Sequence, residues 1–215
     1  MDANAIDQAL TDATTGLRLL EHPFYRRWEA GELLPGELAD YAAQYRHFEA
    51  MLPRFLERLA DALPAGGPRD AVTANLDDER GDPVPHLELF DRFASALGAG
   101  PAAPTPATAA LLGSYDRALA GGPVSALCGL VAYERQAPEV ASSKAAGLRA
   151  HYDLDDEAIA FWDHHATVDV AHARWSELAL VSLDAPPPEV AGSARRVAEA
   201  WWAFLDEREA VRPAA

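Results

Sequence analysis

Apolar residues recur along this chain at three- and four-residue intervals, segment after segment, and no stretch gives persuasive two-residue alternation. The pattern predicts an all-α fold. Helical spacing runs from Ala3 to Leu20 and returns from Glu37 to Leu63 through Leu38, Tyr41, Ala42, Tyr45, Phe48 and Leu52, with a bend expected at Pro53. Pro68 suits a first helical position and opens a segment reaching about Glu79. Leu87 to Leu97 stops at Gly98, and Ala107 to Leu119 stops at Gly121-Gly122. Pro123 opens a long apolar helix through Ala126, Leu127, Leu130, Val131 and Glu134. Asp155 or Asp156 can cap the next, and Pro188 opens a last one through Trp201, Trp202 and Phe204. The Pro/Ala stretch from Gly98 to Pro106 is a loop too short to separate two cores, so residues 1–215 read as one domain.

Composition narrows the class. An apolar share of 49% can fill a substantial core, yet no run approaches the length of a membrane span. The N-terminus, Met1-Asp-Ala-Asn, lacks the basic and apolar regions of a signal peptide, and the single cysteine, Cys128, fits a reducing compartment. These features point to the cytoplasm. With 34 acidic against 18 basic residues the net charge is −16, which argues against nucleic acid as a partner. Only one basic residue is a lysine, Lys144. An acidic, lysine-poor, alanine-rich chain suits a high-salt interior, where counterions screen self-repulsion; a GC-rich genome is the competing explanation.

Candidate chemistry begins in Phe161-Trp-Asp-His-His-Ala-Thr-Val-Asp-Val-Ala-His172. Offsets of four and three place His165, Asp169 and His172 on one helical face. Either this face is solvated, or it faces inward, where an unpartnered imidazole or carboxylate costs several kcal/mol, roughly, and a divalent cation serves all three. Glu134 lies in an otherwise apolar helix and needs a cation, a hydrogen-bond network or a proton. Glu79 and His86 flank Arg80-Gly-Asp-Pro-Val-Pro85, which cannot be regular helix; the pair is either an ordinary polar turn or a helix end and a helix start converging on one point. Three carboxylates and three imidazoles suit two divalent ions of iron or manganese type, with positions left for dioxygen. Structural zinc would want thiolates, and a ferritin-like bundle would want a second Glu-x-x-His.

The residues His22-Pro-Phe-Tyr25, Trp28, Gly31-Glu-Leu33, Tyr41, Tyr45, Asn75-Leu-Asp-Asp-Glu79, His86, Phe93 to Gly98, Tyr133-Glu-Arg-Gln136, Lys144, Gly147-Leu148 and His165-x-x-x-Asp169-x-x-His172-Ala173 run through most of the chain. In them the chain resembles the haem-oxygenase-like di-metal oxidases, and among these the chlamydial protein associating with death domains and its bacterial relatives in folate metabolism. The PqqC and TenA proteins share the scaffold without the complete metal set, so fold alone would not license the assignment. The resemblance implies about seven or eight helices around a dinuclear centre, di-iron or manganese–iron, held by Glu79, His86, Glu134, His165, Asp169 and His172. It further implies dioxygen as co-substrate, an external reductant, and p-aminobenzoate made for folate without chorismate. In that branch the protein's own tyrosine supplies the ring and its own lysine the amino group; Tyr25 and Lys144 occupy those positions, and Tyr41 matches a tyrosine nearby.

The lone lysine agrees with this, because a guanidinium cannot stand in for an amine that must lose its proton and be transferred. Two other readings stay open. The same oxidase can act on a free amino acid or fatty acid, with Tyr25 and Lys144 only shaping a pocket, or the chain can be a non-catalytic helical binding protein with a polar core network. Tyr25 can equally be a core aromatic with a satisfied hydroxyl. His164 points about a quarter-turn from its neighbour and reads as surface or as support for the ligands; His22, His47 and His151 lack partner motifs. Cys128 reads as a small core residue, and Trp201 and Trp202 as a terminal helix packing on the bundle or on the second subunit of a homodimer.

Overall fold

Proline and glycine punctuate the chain, and the helices fall between them. The computed structural model describes residues 2–81 and 84–211. Among these are ten α-helices and no strand: α1 (Ala3–Thr14), α2 (Pro23–Glu29), α3 (Pro35–Ala62), α4 (Gly67–Arg80), α5 (His86–Ala96), α6 (Pro106–Ala120), α7 (Pro123–Glu134), α8 (Ala137–His151), α9 (Asp156–Ser182) and α10 (Pro187–Ala210), with a 3-10 turn at Leu19–Glu21. Proline occupies the first turn of α2, α3, α4, α6, α7, α8 and α10, where its missing N–H costs no hydrogen bond and its fixed φ is already helical. Asp155 rather than Asp156 caps α9, accepting from the Ala158 N–H at 2.9 Å.

The all-α expectation holds, but the count exceeds seven or eight. The first helix ends at Thr14 rather than Leu20, because Gly16 turns the chain at φ +74°. The short α2 then forms on the His22 cap, whose Nδ1 accepts from the Phe24 N–H at 3.1 Å. A further helix, α8, restarts immediately after α7 through Pro138. Pro53 stays inside α3, with helix on both sides. Within the interrupted segment between α4 and α5, Asp82 and Pro83 lie outside the described residues.

Helix α9 packs against α4, α5, α7 and α8, while α10 packs against α1, α6 and α7, and α3 against α4, α5 and α6. The space between α3, α7 and α9 is filled by aromatic rings. Tyr45 stacks on Phe90 at 5.2 Å between centroids, Trp162 meets Phe93 edge-on at 5.4 Å, and Tyr133 stacks on Trp201 at 4.4 Å. Helix α2 seats on α8 through a close approach at Gly147, where a Cβ would lie 3.0 Å from both the Trp28 ring and its carbonyl. Among the described residues no helix is long and apolar enough to cross a membrane.

That close approach yields a stability test. Gly147→Val should cost about 1–3 kcal/mol through overpacking, more than the ≤ ~1 kcal/mol that removing a mid-helix glycine returns. Gly192→Ala on the exposed face of α10, whose added Cβ meets only Arg196 Nη1 at 3.7 Å, should instead gain up to about 1 kcal/mol. Thermal melts should therefore move in opposite directions, by about 2–4 °C per kcal/mol.

Candidate metal centre

Helix α9 presents His165, Asp169 and His172 to the interior, all three buried, which removes the solvated-face reading. Helix α7 ends on Glu134, α4 ends one residue after Glu79, and α5 begins on His86, each of them buried. Glu79 and His86 meet because Gly81 reverses the chain at φ +63°; a Cβ there would collide with the Val84 carbonyl, so the turn needs glycine. The Gly81 N–H also closes α4 on the Asp77 and Asp78 carbonyls at 3.1 and 2.9 Å.

All six sequence-predicted positions converge. His86 Nδ1 lies 3.2 Å from Glu79 Oε2, His165 Nε2 4.0 Å from Glu79 Oε1, and His172 Nδ1 3.4 Å from Asp169 Oδ1. Glu79, Glu134, His165, Asp169 and His172 line one cavity of about 20 Å³ together with Glu49, Tyr45 and Tyr133. Two ligand candidates are braced from outside. Glu134 accepts from Asn75 Nδ2 at 2.7 Å and from Ser176 Oγ at 2.8 Å. His165 Nδ1 is 2.9 Å from the Phe161 carbonyl, which can only accept, so Nδ1 carries the proton and Nε2 is left facing Glu79.

The electrostatics fit a cationic occupant. Burial pushes the Glu134 carboxyl up to about 7, against the pull of His172, Ser176 and Asn75. Burial lowers His86 and His172, yet the surrounding carboxylates, Glu79 and Asp169 foremost, hold both above the usual imidazole range. Close approach without hydrogen-bond alignment is the clearer sign: His86 Nδ1 has no geometrically sound partner although Glu79 is 3.2 Å away. Carboxylates and imidazoles facing common space in this way form an N/O donor set that suits a divalent transition-metal ion.

Sequence reasoning missed two groups, Glu49 and Asp78, and left His164 open between the surface and support for the ligands. Glu49 on α3 is 2% exposed, and its Oε2 has no hydrogen-bond partner; burial, then the charges of Glu79 and Asp169, push it well above the carboxylate range. Its position four residues after Tyr45 and three before Leu52 puts it on the core stripe, a signal present in the pattern but hidden by attention to apolar residues alone. Asp78 Oδ2 lies 3.2 Å from His172 Nε2, and His164, half-buried, sits with its ring 4.5 Å from that of His86. His164 therefore belongs beside the centre rather than on the surface, because α5 covers the side to which its quarter-turn offset points.

A second cluster adjoins the first. Lys144 is 1% exposed, and its Nζ donates to Tyr41 Oη at 2.5 Å, which is 2.9 Å from Tyr25 Oη. Rings surround the amine: Nζ is 3.9 Å from the Trp162 ring centre, 4.6 Å from Tyr25, 4.8 Å from Tyr41 and 4.9 Å from Tyr45. Burial holds it well below the usual lysine range, only partly opposed by Glu49. Tyr41 stacks on Tyr45 at 5.4 Å, and the Tyr45 hydroxyl is 2.5 Å from that of Tyr133, so phenols run unbroken from Tyr25 to the wall of the carboxylate cavity. Cys128 is fully buried among apolar groups, as expected of a small core residue.

Similarity to known proteins follows this geometry. The chain is 32% identical, over 96% of its length and 92% of the other's, to a protein of Nitrosomonas europaea named 4-aminobenzoate synthase. It is 30% identical, over 94% and 89%, to one of the same name from Chlamydia muridarum. Among solved structures, a CADD-like protein of unknown function from Nostoc punctiforme superposes with a TM-score of 0.81 at 20% identity, covering 98% of this chain and 99% of that one. A TenA homologue from Pseudomonas syringae gives 0.83 at 14% identity, over 98% and 96%, which speaks for the shared haem-oxygenase-like fold alone. Residues 39–206 match the model of the iron-containing redox enzymes, a span that takes in every residue of both clusters except Tyr25, and the chain belongs to that haem-oxygenase-like family.

Proposed function

We propose that this chain is an oxygen-dependent 4-aminobenzoate synthase that consumes its own Tyr25 and Lys144. The observation that carries the reading is the position of Lys144 Nζ, an amine 4.6 Å from the centre of the Tyr25 ring whose charged form burial disfavours. In 4-aminobenzoate the nitrogen stands para to the carboxyl, as the tyrosine hydroxyl stands para to Cβ. Nζ must therefore replace the phenolic oxygen, which leaves as water, the Cε–Nζ and Cα–Cβ bonds must both break, and Cβ must be oxidised to the carboxyl carbon at the expense of dioxygen. With one N–H donated to Tyr41, the Nζ lone pair is free to face the ring, which an ammonium or a guanidinium could not offer. Tyr41, bonded to both reagents, orients them and takes up or returns protons between them.

Glu79, His86, Glu134, His165, Asp169 and His172 would hold two ions, iron–iron or manganese–iron, with Glu49 a further carboxylate beside them. When bound, such a pair supplies dioxygen activation and electron removal, with an external reductant to prime it. The cavity size favours an internal reagent over a free one. About 20 Å³ admits roughly one water, whereas pockets for organic molecules run to about 300–1,000 Å³. Membership among redox enzymes weighs against a purely binding role. Provision of p-aminobenzoate for folate is the corresponding cellular role, and a homodimer remains compatible with the structure.

Three outcomes test this. Protein grown with iron and manganese should retain two transition-metal ions per chain by elemental analysis, and Glu134→Ala or His172→Ala should lose at least one. Absence of stoichiometric metal from the wild type would remove the centre from the proposal. Lys144→Met and Tyr25→Phe should fold and load metal yet make no p-aminobenzoate, while reduced, oxygen-exposed wild type should yield at most about one product per chain and lose mass at both residues by peptide mass spectrometry. Many turnovers with an added small molecule would favour an external substrate.

The third concerns stability against pH. Lys144 is depressed in the folded chain, so between its folded value and about 10.4 the unfolded chain binds the extra proton and stability rises with pH. Lys144→Met removes that cost. Its melting temperature should exceed that of the wild type at pH 7, by about 2–4 °C per kcal/mol recovered, and the gap should close towards pH 10.

A further inference from the structure

The geometry points to a second, transient metal site, formed by Asp78, His86 and His164 at the mouth of the centre, which takes a divalent transition-metal ion from solvent and passes it inward. This rests on the reading that Glu79, His86 and His165 hold metal. Two triads of potential ligand atoms, each lying within 4.8 Å of one another, share His86: Asp78 with His164 on one side, Glu79 with His165 on the other. The three rings form a close triangle, with His86 4.5 Å from His164 and 4.8 Å from His165, and those two 5.6 Å from each other.

Exposure falls from one triad to the other. The Asp78 side chain is 36% exposed and His164 is half-buried, whereas His86, Glu79 and His165 are all buried. The cavity beyond holds only about a water's volume, so a hydrated ion must shed its shell before it enters. Stripping that shell without replacement ligands would cost far more than thermal energy supplies. An outer carboxylate and imidazole can replace waters first, after which His86 exchanges the outer set for the inner.

The outer atoms also lack other employment. His164 Nε2 and Asp78 Oδ2 are both shut from water with no hydrogen-bond partner, although Asp78 Oδ2 lies 3.2 Å from His172 Nε2. A buried polar atom without a partner costs about 1–3 kcal/mol, which a transient ligand role explains and a surface histidine does not.

Metal-free protein, prepared by chelation, can be mixed anaerobically with Co(II), following its ligand-field absorption by stopped flow and the endpoint by elemental analysis after desalting. His164→Gln and Asp78→Asn should each load at least about tenfold more slowly at limiting metal, yet reach the two ions per chain of the wild type. His47→Gln, remote from the centre and bonded to the Ala102 carbonyl, should load at the wild-type rate. Wild-type rates in both variants would overturn the proposal. So would an endpoint below two ions in either variant, since Asp78 or His164 would then be a permanent ligand. A wild type that binds no stoichiometric Co(II) would instead take down the metal-centre reading beneath it.

Discussion

Like charge gathered in a dry interior is the constraint from which the rest of this structure follows. Glu49, Glu79, Glu134 and Asp169 are each at most 5% exposed and crowd a single small cavity, an arrangement whose repulsion and desolvation no ordinary core would tolerate. The imidazoles of His86, His165 and His172 offset part of it, and Asn75 and Ser176 another part through Glu134. What is left calls for protons or cations. Because the donors come from α3, α4, α5, α7 and α9, any ion bound there ties together helices far apart in sequence, and ion binding and tertiary packing become one free-energy term.

The aromatic cluster answers a different need. A lysine is held below its usual range only where water is excluded, and the rings of Tyr25, Trp28, Tyr41, Tyr45 and Trp162 exclude it on the sides from which they face Nζ. Trp28 makes the wall and also fixes its position, donating Nε1–H to the Lys144 carbonyl at 3.2 Å while packing against Gly147 one turn on. The same contact that holds α2 to α8 thus sets the distance between the Lys144 amine and the Tyr25 ring.

Much of this was legible in the sequence for stateable reasons. Proline in first turns marked most helix starts, and the three- and four-residue spacing of His165, Asp169 and His172 survived unchanged because a helix preserves it. Where the reading failed, a local signal was weak or misleading. Leu17 and Leu20 continue the helical period past Thr14, and only the φ of Gly16 stops it. Helix α2 is seven residues long, too short to show a period. Glu79 and His86 could not be joined by spacing, since the reversal at Gly81 is tertiary; the family resemblance joined them. Asp78 was passed over because adjacency to a ligand on a helix argues for divergence, and His164 stayed open between surface and support because nothing local says that α5 lies on the other side.

Tyr25 is 2% exposed and touches Phe24, Trp28 and Tyr41, so the ring proposed as a reagent is also a structural member. A chain that gave up that ring would carry a hole in its core of the kind left by an aromatic-to-alanine substitution, which costs about 3–5 kcal/mol, a large share of the roughly 5–15 kcal/mol that keeps a domain folded. Spent molecules would then be conspicuously softer than fresh ones, and ordinary proteolytic surveillance could sort them without any dedicated tag.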